Sequence, residues 1–137
     1  MVTPEDLALL DAAIAVQQHA HAPFSSYPVG SAVRTVDGTV FSGVNVESAS
    51  FSLTCCAERV ALCTAVSAGH KEIVSCAIVT DEEVPAAPCG ACRQLLSEFG
   101  RNMRLVMGNG SGNVRIAFLG DLLPESFTAD QVLSRTR

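Results

Sequence analysis

The sequence predicts an α/β fold built on a mixed β-sheet, and three observations support this class. Stretches typical of strands and of helices alternate through the middle of the chain, as they do in α/β proteins. Asp37-Gly38 separates two β-rich runs, which indicates an antiparallel hairpin. Residues 108–113, which separate the last two strand-like runs, are too few for a parallel crossover, so we expect these two strands to be antiparallel.

The first helix is predicted from residue 3 to about residue 21. Thr3 suits the N-cap position and Pro4 the first helical position. The apolar face of this helix is assigned to Leu7, Leu10 and Ile14. Residues 23–28 contain two prolines and are expected to form a loop.

The strands of the hairpin are predicted at residues 29–36 and 39–46. A second helix is predicted over residues 57–68, with its only charged residues in the first turn. We therefore expect it to be buried nearly all round, with Cys63 acting as a small apolar residue inside it.

The rest of the chain continues the alternation of strands and helices. The predicted elements are a strand at 73–79 buried on both faces, a helix from Cys89 to residue 99, strands at 103–107 and 114–119, a helical turn at 120–124 and a final helix after Thr128. Gln131, three residues after Thr128, completes a capping-box pattern.

Length and composition indicate one globular domain over residues 1–137, with 48% hydrophobic and 17% charged residues. The net charge of −5 and the scattered lysines and arginines disfavour a nucleic-acid partner. No apolar run reaches membrane-spanning length, and the acidic N-terminus is unlike a signal peptide, so we expect no membrane partner and a cytoplasmic location. The low charged fraction also suggests that some surface is buried in an oligomer.

Two short motifs predict a catalytic zinc site. The first contains Cys56 and Glu58, and the second is Pro88-Cys89-Gly90-Ala91-Cys92. Three thiolates leave the fourth position of a tetrahedral Zn²⁺ ion for water, and Cys-x-Glu followed by Pro-Cys-x-x-Cys is the zinc-deaminase signature. Both motifs stand at predicted helix starts, where the positive end of the helix dipole favours thiolates. The sequence therefore predicts one Zn²⁺ ion held by Cys56, Cys89 and Cys92.

The predicted general acid–base group is Glu58, which would move protons between water and substrate. Its alternative role is that of an acidic residue favoured at a helix N-terminus. Arg59 is predicted to donate hydrogen bonds to cysteine sulfur and to offset the negative charge of the thiolates. An exposed surface position for Arg59 is the alternative.

The other cysteines are interpreted as structural. Cys55 is adjacent to Cys56 and would point in a different direction, and only Cys56 has the required spacing to Glu58. Cys76 belongs to a buried strand. Six cysteines could also form three disulfides, but this is disfavoured in a chain without a secretion signal.

Over nearly its whole length the sequence resembles the cytidine deaminase family in its small homotetrameric form. The motifs that carry the resemblance are Pro28-Val29-Gly30, Asp37-Gly38, Gly43-Val44-Asn45-Val46-Glu47, Cys56-Ala57-Glu58-Arg59, the segment 88–94 and Leu122-Leu123-Pro124 with Ser126-Phe127. The resemblance implies a three-layer α/β/α fold with a five-stranded sheet. It also implies zinc-dependent conversion of cytidine or 2′-deoxycytidine to the uridine product and ammonia, as in pyrimidine salvage.

The resemblance also implies roles for substrate-binding residues. Asn45 and Glu47 match the pair that binds the 3′-hydroxyl of the ribose, although position alone, at the end of a strand, favours a structural role in capping a turn. Tyr27 matches an aromatic residue near the pyrimidine, and the backbone around Ala57 matches one that hydrogen-bonds the pyrimidine edge. Phe127 matches a residue that stacks on the base across a subunit interface.

The sequence departs from the family pattern in two ways. Phe24 and Tyr27 stand in exchanged order, and Phe51 replaces a tyrosine that contacts the 5′ side of the ribose. The exact nucleoside is therefore less strongly predicted than the reaction.

Three other functions compete with this prediction. A deaminase for a modified nucleoside such as blasticidin S would keep the zinc motif but change the sugar-binding residues. A thiol–disulfide oxidoreductase would use Cys89 and Cys92 but leaves Cys56 and Glu58 unexplained. A structural zinc module needs a fourth protein ligand, and no further Cys or His stands at the motif spacing.

Overall fold

Five strands form one mixed sheet in the computed structural model, which describes residues 1–134. The last three residues of the expected 1–137 domain lie outside this described part. The elements are α1 (Pro4–Gln17), β1 (Gly30–Thr35), β2 (Val40–Val44), a 3₁₀ turn (Phe51–Leu53), α2 (Ala57–Ser67), β3 (Ile73–Val79), α3 (Gly90–Ser97), β4 (Arg104–Gly108), β5 (Val114–Phe118), α4 (Leu119–Leu122) and α5 (Ala129–Leu133).

The order of strands in the sheet is β2-β1-β3-β4-β5. The central pair, β3 and β4, is parallel, and every other pair is antiparallel. The antiparallel pairing of β4 with β5 agrees with the short segment that joins them. β3 is buried at every position except Val74, as expected for a strand covered on both faces.

Helices cover both faces of the sheet. Side chains alternate between the two faces along β3. Ala77 and Val79 pack with three residues of α1, Leu9, Leu10 and Ala13. Cys76 and Ile78 pack on the opposite side with α2 and α3. The fold is therefore the predicted three-layer α/β/α arrangement.

The start of α1 confirms the predicted cap, but its end and its apolar face differ from the prediction. The Thr3 hydroxyl accepts a hydrogen bond from the Asp6 N–H at 3.2 Å, and the Asp6 carboxylate accepts one from the Thr3 N–H at 2.8 Å. The helix ends at Gln17 rather than near residue 21, because His21 pairs its backbone with Asn45 and Glu47 instead. The buried face contains Leu9, whereas Leu7 is 47% exposed.

The burial of α2 also differs from the prediction. Its inner side is buried on the sheet, where a Cβ added at Gly43 of β2 would lie only 2.5 Å from the Ala61 nitrogen. Cys63 and Thr64 are exposed in the single chain, so Cys63 is not an interior residue. The reason is geometrical, since a helix packed on a sheet presents only one side to it.

The predicted turn of the hairpin and the predicted capping box of the terminal helix are both present in the structure. Gly38 has φ +91°, a conformation that glycine adopts without strain, and lies in the β1–β2 connection. At the start of α5, the Gln131 side chain accepts a hydrogen bond from the Thr128 N–H at 2.7 Å. Among residues 1–134, no helix is long and apolar enough to span a membrane.

Candidate active site

A cavity of about 370 Å³ opens where the N-termini of α2 and α3 meet. One end, which we call the thiol end, contains Cys56, Glu58 and Cys89. The other end, which we call the loop end, contains Ser25, Tyr27, Asn45 and Glu47. The loop end is built by residues 22–29, between α1 and β1, and by the segment that follows β2.

Three cysteine sulfurs meet at the thiol end. Cys56 is the N-cap of α2, Cys89 is the N-cap of α3, and Cys92 lies in the first turn of α3. The three Sγ atoms lie within 4.8 Å of one another, and those of Cys56 and Cys89 are 4.0 Å apart. Thiolates bound to one tetrahedral Zn²⁺ ion lie about 3.8 Å apart, given Zn–S bonds of about 2.3 Å. The donor type, number and spacing therefore fit zinc.

Cys55 lies outside this group of sulfurs. Its backbone N–H and C=O pair with those of Val46, each at 2.9 Å, in a short antiparallel bridge. Side chains of successive residues in an extended segment point to opposite sides. The structure thus brings Cys56, and not Cys55, together with the second motif.

Hydrogen bonding shifts the pKa values of two thiols at this end in opposite directions. The pKa of Cys56 is lowered to about 6, mainly because the Cys92 thiol donates to its sulfur, with further contributions from Cys89 and Arg59. The same hydrogen bond raises the pKa of Cys92, and burial raises it further. Of these two thiols, Cys56 is therefore the one that ionises more easily.

Arg59 is half-buried beside the thiols. Its Nη2 donates to the Thr54 carbonyl at 2.7 Å, while its buried Nε has no hydrogen-bond partner among residues 1–134. A positive charge at this point lowers the pKa of Cys56. This position favours interaction with the thiolates over the alternative of a solvated surface residue.

Glu58 is buried, with 5% of its surface exposed, in the first turn of α2. Its pKa is raised, first because burial disfavours the charged carboxylate and then because the negative Cys56 lies nearby. Behind it in β3, Cys76 is fully buried, and burial raises the pKa of its thiol to about 12. Glu58 is thus a carboxyl group shielded from bulk water that can both release and accept a proton.

At the loop end, Asn45 and Glu47 bind backbone groups of the loop. The Asn45 side chain accepts from the Val29 N–H at 2.9 Å and donates to the Tyr27 carbonyl at 2.8 Å. Glu47 Oε1 accepts from the N–H groups of Phe24 and Ser25 at 3.0 and 3.1 Å. Both side chains have the turn-binding role that was their alternative assignment, and both also line the cavity.

The remaining predicted residues fall in different places. Tyr27 and Ala57 line the cavity, whereas Phe51 packs edge-on against Phe24 beside it, with ring centroids 6.0 Å apart. Phe127 lies away from the cavity, is 56% exposed, and accepts a hydrogen bond on its carbonyl from Gln94 at 2.8 Å. Within one chain, then, neither Phe51 nor Phe127 reaches the thiol end.

Sequence reasoning did not single out three polar residues that line the cavity, Ser25, Thr54 and Thr80. Thr80 directly follows β3 and is only 2% exposed. The sequence signal that could have identified Thr80 is that it is a polar residue directly after an apolar strand. Ser25 lies in a segment that was predicted to be a loop, and no sequence pattern there indicated that it would line the cavity.

The three-layer fold and the three-thiol site beside a buried carboxylate define a zinc metalloenzyme of the α/β class. The model of one protein family, described as the cytidine and deoxycytidylate deaminase zinc-binding region, matches residues 3–109. The chain belongs to this cytidine and deoxycytidylate deaminase family, and zinc is its cofactor.

Individual relatives agree with this assignment. A cytidine deaminase of Halalkalibacterium halodurans is 40% identical over 125 residues, which cover 90% of this chain and 95% of that protein. A crystal structure of cytidine deaminase from Burkholderia pseudomallei has a TM-score of 0.86 and 45% identity, covering 92% of this chain and all of that one. A blasticidin-S deaminase of Bacillus cereus is 31% identical over 112 residues, covering 76% of this chain and 79% of that protein. The predicted family and fold are confirmed.

Proposed function

We propose that this protein is a zinc-dependent hydrolytic deaminase that converts cytidine and 2′-deoxycytidine to uridine and 2′-deoxyuridine, with release of ammonia. The observation that carries the proposal is the meeting of three thiols with the buried Glu58 in one cavity. In the reaction, the oxygen of water forms a bond to the ring carbon that carries the amino group. The bond from that carbon to the amino nitrogen then breaks.

Cys56, Cys89 and Cys92 would hold the Zn²⁺ ion, which when bound would supply the Lewis acidity that makes water nucleophilic at neutral pH. Glu58 takes the first proton from the attacking water and delivers it to the ring nitrogen. It then takes the second proton from the new hydroxyl on the ring carbon and delivers it to the departing amino group, so that Glu58 carries one proton in each step. Its burial keeps this proton from exchanging freely with solvent. Arg59 offsets the excess negative charge of three thiolates.

At the loop end, Asn45 and Glu47 bind the 3′-hydroxyl of the sugar, and Tyr27 packs near the pyrimidine. All three side chains line the cavity, and their contacts with the loop leave hydrogen-bonding positions or side-chain surface free to contact a substrate. The backbone at Ala57 binds the pyrimidine edge. Phe51 has no hydroxyl, so it would leave the 5′ side of the sugar without a hydrogen bond from that position.

We further propose that the active enzyme is a homotetramer in which Phe127 of one chain stacks on the base bound by a neighbour. Support comes from the exposure of Phe127 and from the exposed outer side of α2. Phe127→Ala should weaken assembly and activity together, measured by sedimentation and turnover. A fully active monomer would contradict the proposal. A role in pyrimidine salvage and the cytoplasmic location stay predictions.

The proposed reaction is tested with the purified holoenzyme by measuring zinc per chain and the release of ammonia from several substrates. Cytidine and 2′-deoxycytidine should be deaminated by a protein that contains one Zn²⁺ ion per chain. Blasticidin S is the second candidate substrate, because of the similarity to the Bacillus cereus enzyme. Turnover of blasticidin S alone would replace the proposed substrates, and disulfide exchange without deamination would overturn the reaction type.

A further inference from the structure

The Glu47 carboxylate is almost completely occupied by donors from a single loop. Oε1 accepts from the backbone N–H groups of Phe24 and Ser25, and Oε2 accepts from the Ser25 hydroxyl. A carboxylate offers about four acceptor positions, two on each oxygen. Among residues 1–134, one position on Oε2 is therefore left, on a side chain that lines the cavity.

Ser25 is the centre of this arrangement. Its N–H binds one carboxylate oxygen and its hydroxyl the other, so this one residue contacts both oxygens of Glu47. The same hydroxyl accepts a hydrogen bond from the Tyr27 N–H at 3.0 Å. Because an ionised carboxylate only accepts hydrogen bonds, the Ser25 hydroxyl is the donor to Glu47, while its oxygen accepts from the Tyr27 N–H.

The turn that presents Ser25 is held by the backbone. The Ser26 N–H donates to the Ala22 carbonyl at 3.0 Å, and Ser26 itself has φ +54°, in the left-handed region. This conformation is unfavourable for a residue other than glycine, so the turn depends on the contacts around it. The turn is joined to the segment after β2 by the hydrogen bonds of Ser25 and Phe24 to Glu47 and by the hydrogen bond from the Asn45 side chain to the Tyr27 carbonyl.

We propose that Ser25 is a positioning residue that orients the Glu47 carboxylate so that its remaining acceptor position faces a hydroxyl of the nucleoside sugar. This inference rests on the proposed function, in which Glu47 binds the 3′-hydroxyl. Ser25 then determines how strongly the enzyme distinguishes substrates that have this hydroxyl from those that lack it.

The charge state of Glu47 is consistent with this role. Its pKa is lowered, first because the Ser25 hydroxyl donates to it. An ionised carboxylate only accepts hydrogen bonds. The group that fills the last position must therefore be a donor, which a sugar hydroxyl is and an ionised phosphate oxygen is not.

The test compares cytidine with 3′-deoxycytidine in holoenzyme variants. For Ser25→Ala we expect KM for cytidine to rise roughly three- to tenfold with kcat little changed, as for the loss of a hydrogen bond made equally in ground and transition states. Kinetics with 3′-deoxycytidine should hardly change, so the ratio of kcat/KM for the two substrates falls. Ser25→Thr, which keeps a hydroxyl, should restore the ratio. Ser26→Ala is the matched control in the same turn and should leave the ratio unchanged.

Two further variants separate this inference from the proposed role of Glu47. Glu47→Gln should lower the same ratio, and Ser25→Ala combined with Glu47→Gln should lower it no further, because the two residues act on one contact. If Glu47→Gln lowers the ratio and Ser25→Ala does not, the role of Ser25 is overturned and that of Glu47 stands. If neither changes the ratio, both are overturned. A Ser25→Ala variant that loses activity equally on both substrates and melts at lower temperature would show that Ser25 only stabilises the loop.

Discussion

The two ends of the cavity are built in different ways. At the thiol end, Cys56, Glu58, Cys89 and Cys92 occupy the first turns of two helices, and the spacing along each helix sets their relative positions. At the loop end, Asn45 and Glu47 are held by hydrogen bonds to loop residues that lie 16 to 23 positions away in sequence. The groups proposed to take part in the reaction thus lie on rigid elements, whereas the positions of the groups proposed to bind the sugar depend on the conformation of a loop.

Because the two ends are built differently, substitutions at each end should have different effects on function. A substitution at the thiol end should change the chemistry and leave the rest of the protein intact. A substitution at the loop end should change both substrate selection and the stability of the loop, because the same side chains serve both. Substrate preference can therefore vary while the reaction is kept.

The largest effect is expected from Cys56→Ala at the thiol end. Loss of one of three ligands should abolish tight zinc binding and lower turnover by more than roughly 10³-fold, since the Lewis acid is lost. Zinc per chain, measured by elemental analysis after dialysis, checks this. Cys55→Ala is the matched control and should keep its zinc. The opposite outcome for the two variants would reverse the ligand assignment.

The next effect in size concerns Glu58→Gln, which keeps the shape of the side chain but removes its proton-carrying capacity. Turnover should fall by roughly 10²–10⁴ or more, while zinc content and melting temperature remain close to those of the native protein. Glu72→Gln, at an exposed position, is the control. Nearly normal turnover in Glu58→Gln would disprove the role of Glu58 in proton transfer.

A smaller effect, of a different kind, is expected for Asn45→Ala at the loop end. This variant loses hydrogen bonds to Val29 and Tyr27 and leaves partly buried backbone groups unpaired, at a cost of about 1 kcal/mol in the free energy of unfolding. Both the melting temperature and kcat/KM for cytidine should decrease. Asn102→Ala, at an exposed position, should change neither. A purely kinetic effect in Asn45→Ala would remove the distinction between the two ends.

The smallest effect on activity is expected far from both ends, at the ion pair of Asp6 and Arg104. Arg104 donates to both carboxylate oxygens, at 2.9 and 2.7 Å, and lowers the pKa of Asp6 to about 2 from its ordinary 3.8. A carboxyl with a lowered folded-state pKa stabilises the fold above pH 4, and this contribution is lost as the pH falls from about 4 through 2.

Asp6→Asn should therefore lose roughly 2 kcal/mol of stability at neutral pH and show a weaker dependence of stability on pH between 4 and 2. Chemical denaturation at several pH values checks this. Kinetic constants at neutral pH should stay unchanged, which provides the baseline for effects at the cavity. An unaltered pH dependence would show that the ion pair contributes nothing measurable.

The thiol end could be predicted from sequence because its geometry is local. Cys89 and Cys92 are three residues apart at a helix start, and Cys56 and Glu58 are two apart at another, so helix geometry alone limits where their side chains can lie. The N-cap at Thr3 was predictable for the same reason, since its partners are within the next turn. Burial of β3 on both faces followed from an unbroken apolar run.

Other features depended on surfaces that are distant in sequence. The exposed side of α2 at Cys63, the end of α1 at Gln17 and the position of Phe127 away from the cavity are set by which elements pack together. The hydrogen bonds from Glu47 to Phe24 and Ser25 join residues 22 and 23 positions apart. The sequence itself determined the chemistry of the cavity, because that chemistry follows from spacing within single helices. Only the tertiary structure decided which loop groups Asn45 and Glu47 contact, because hydrogen bonds between separate segments form only after the sheet and its helices have packed.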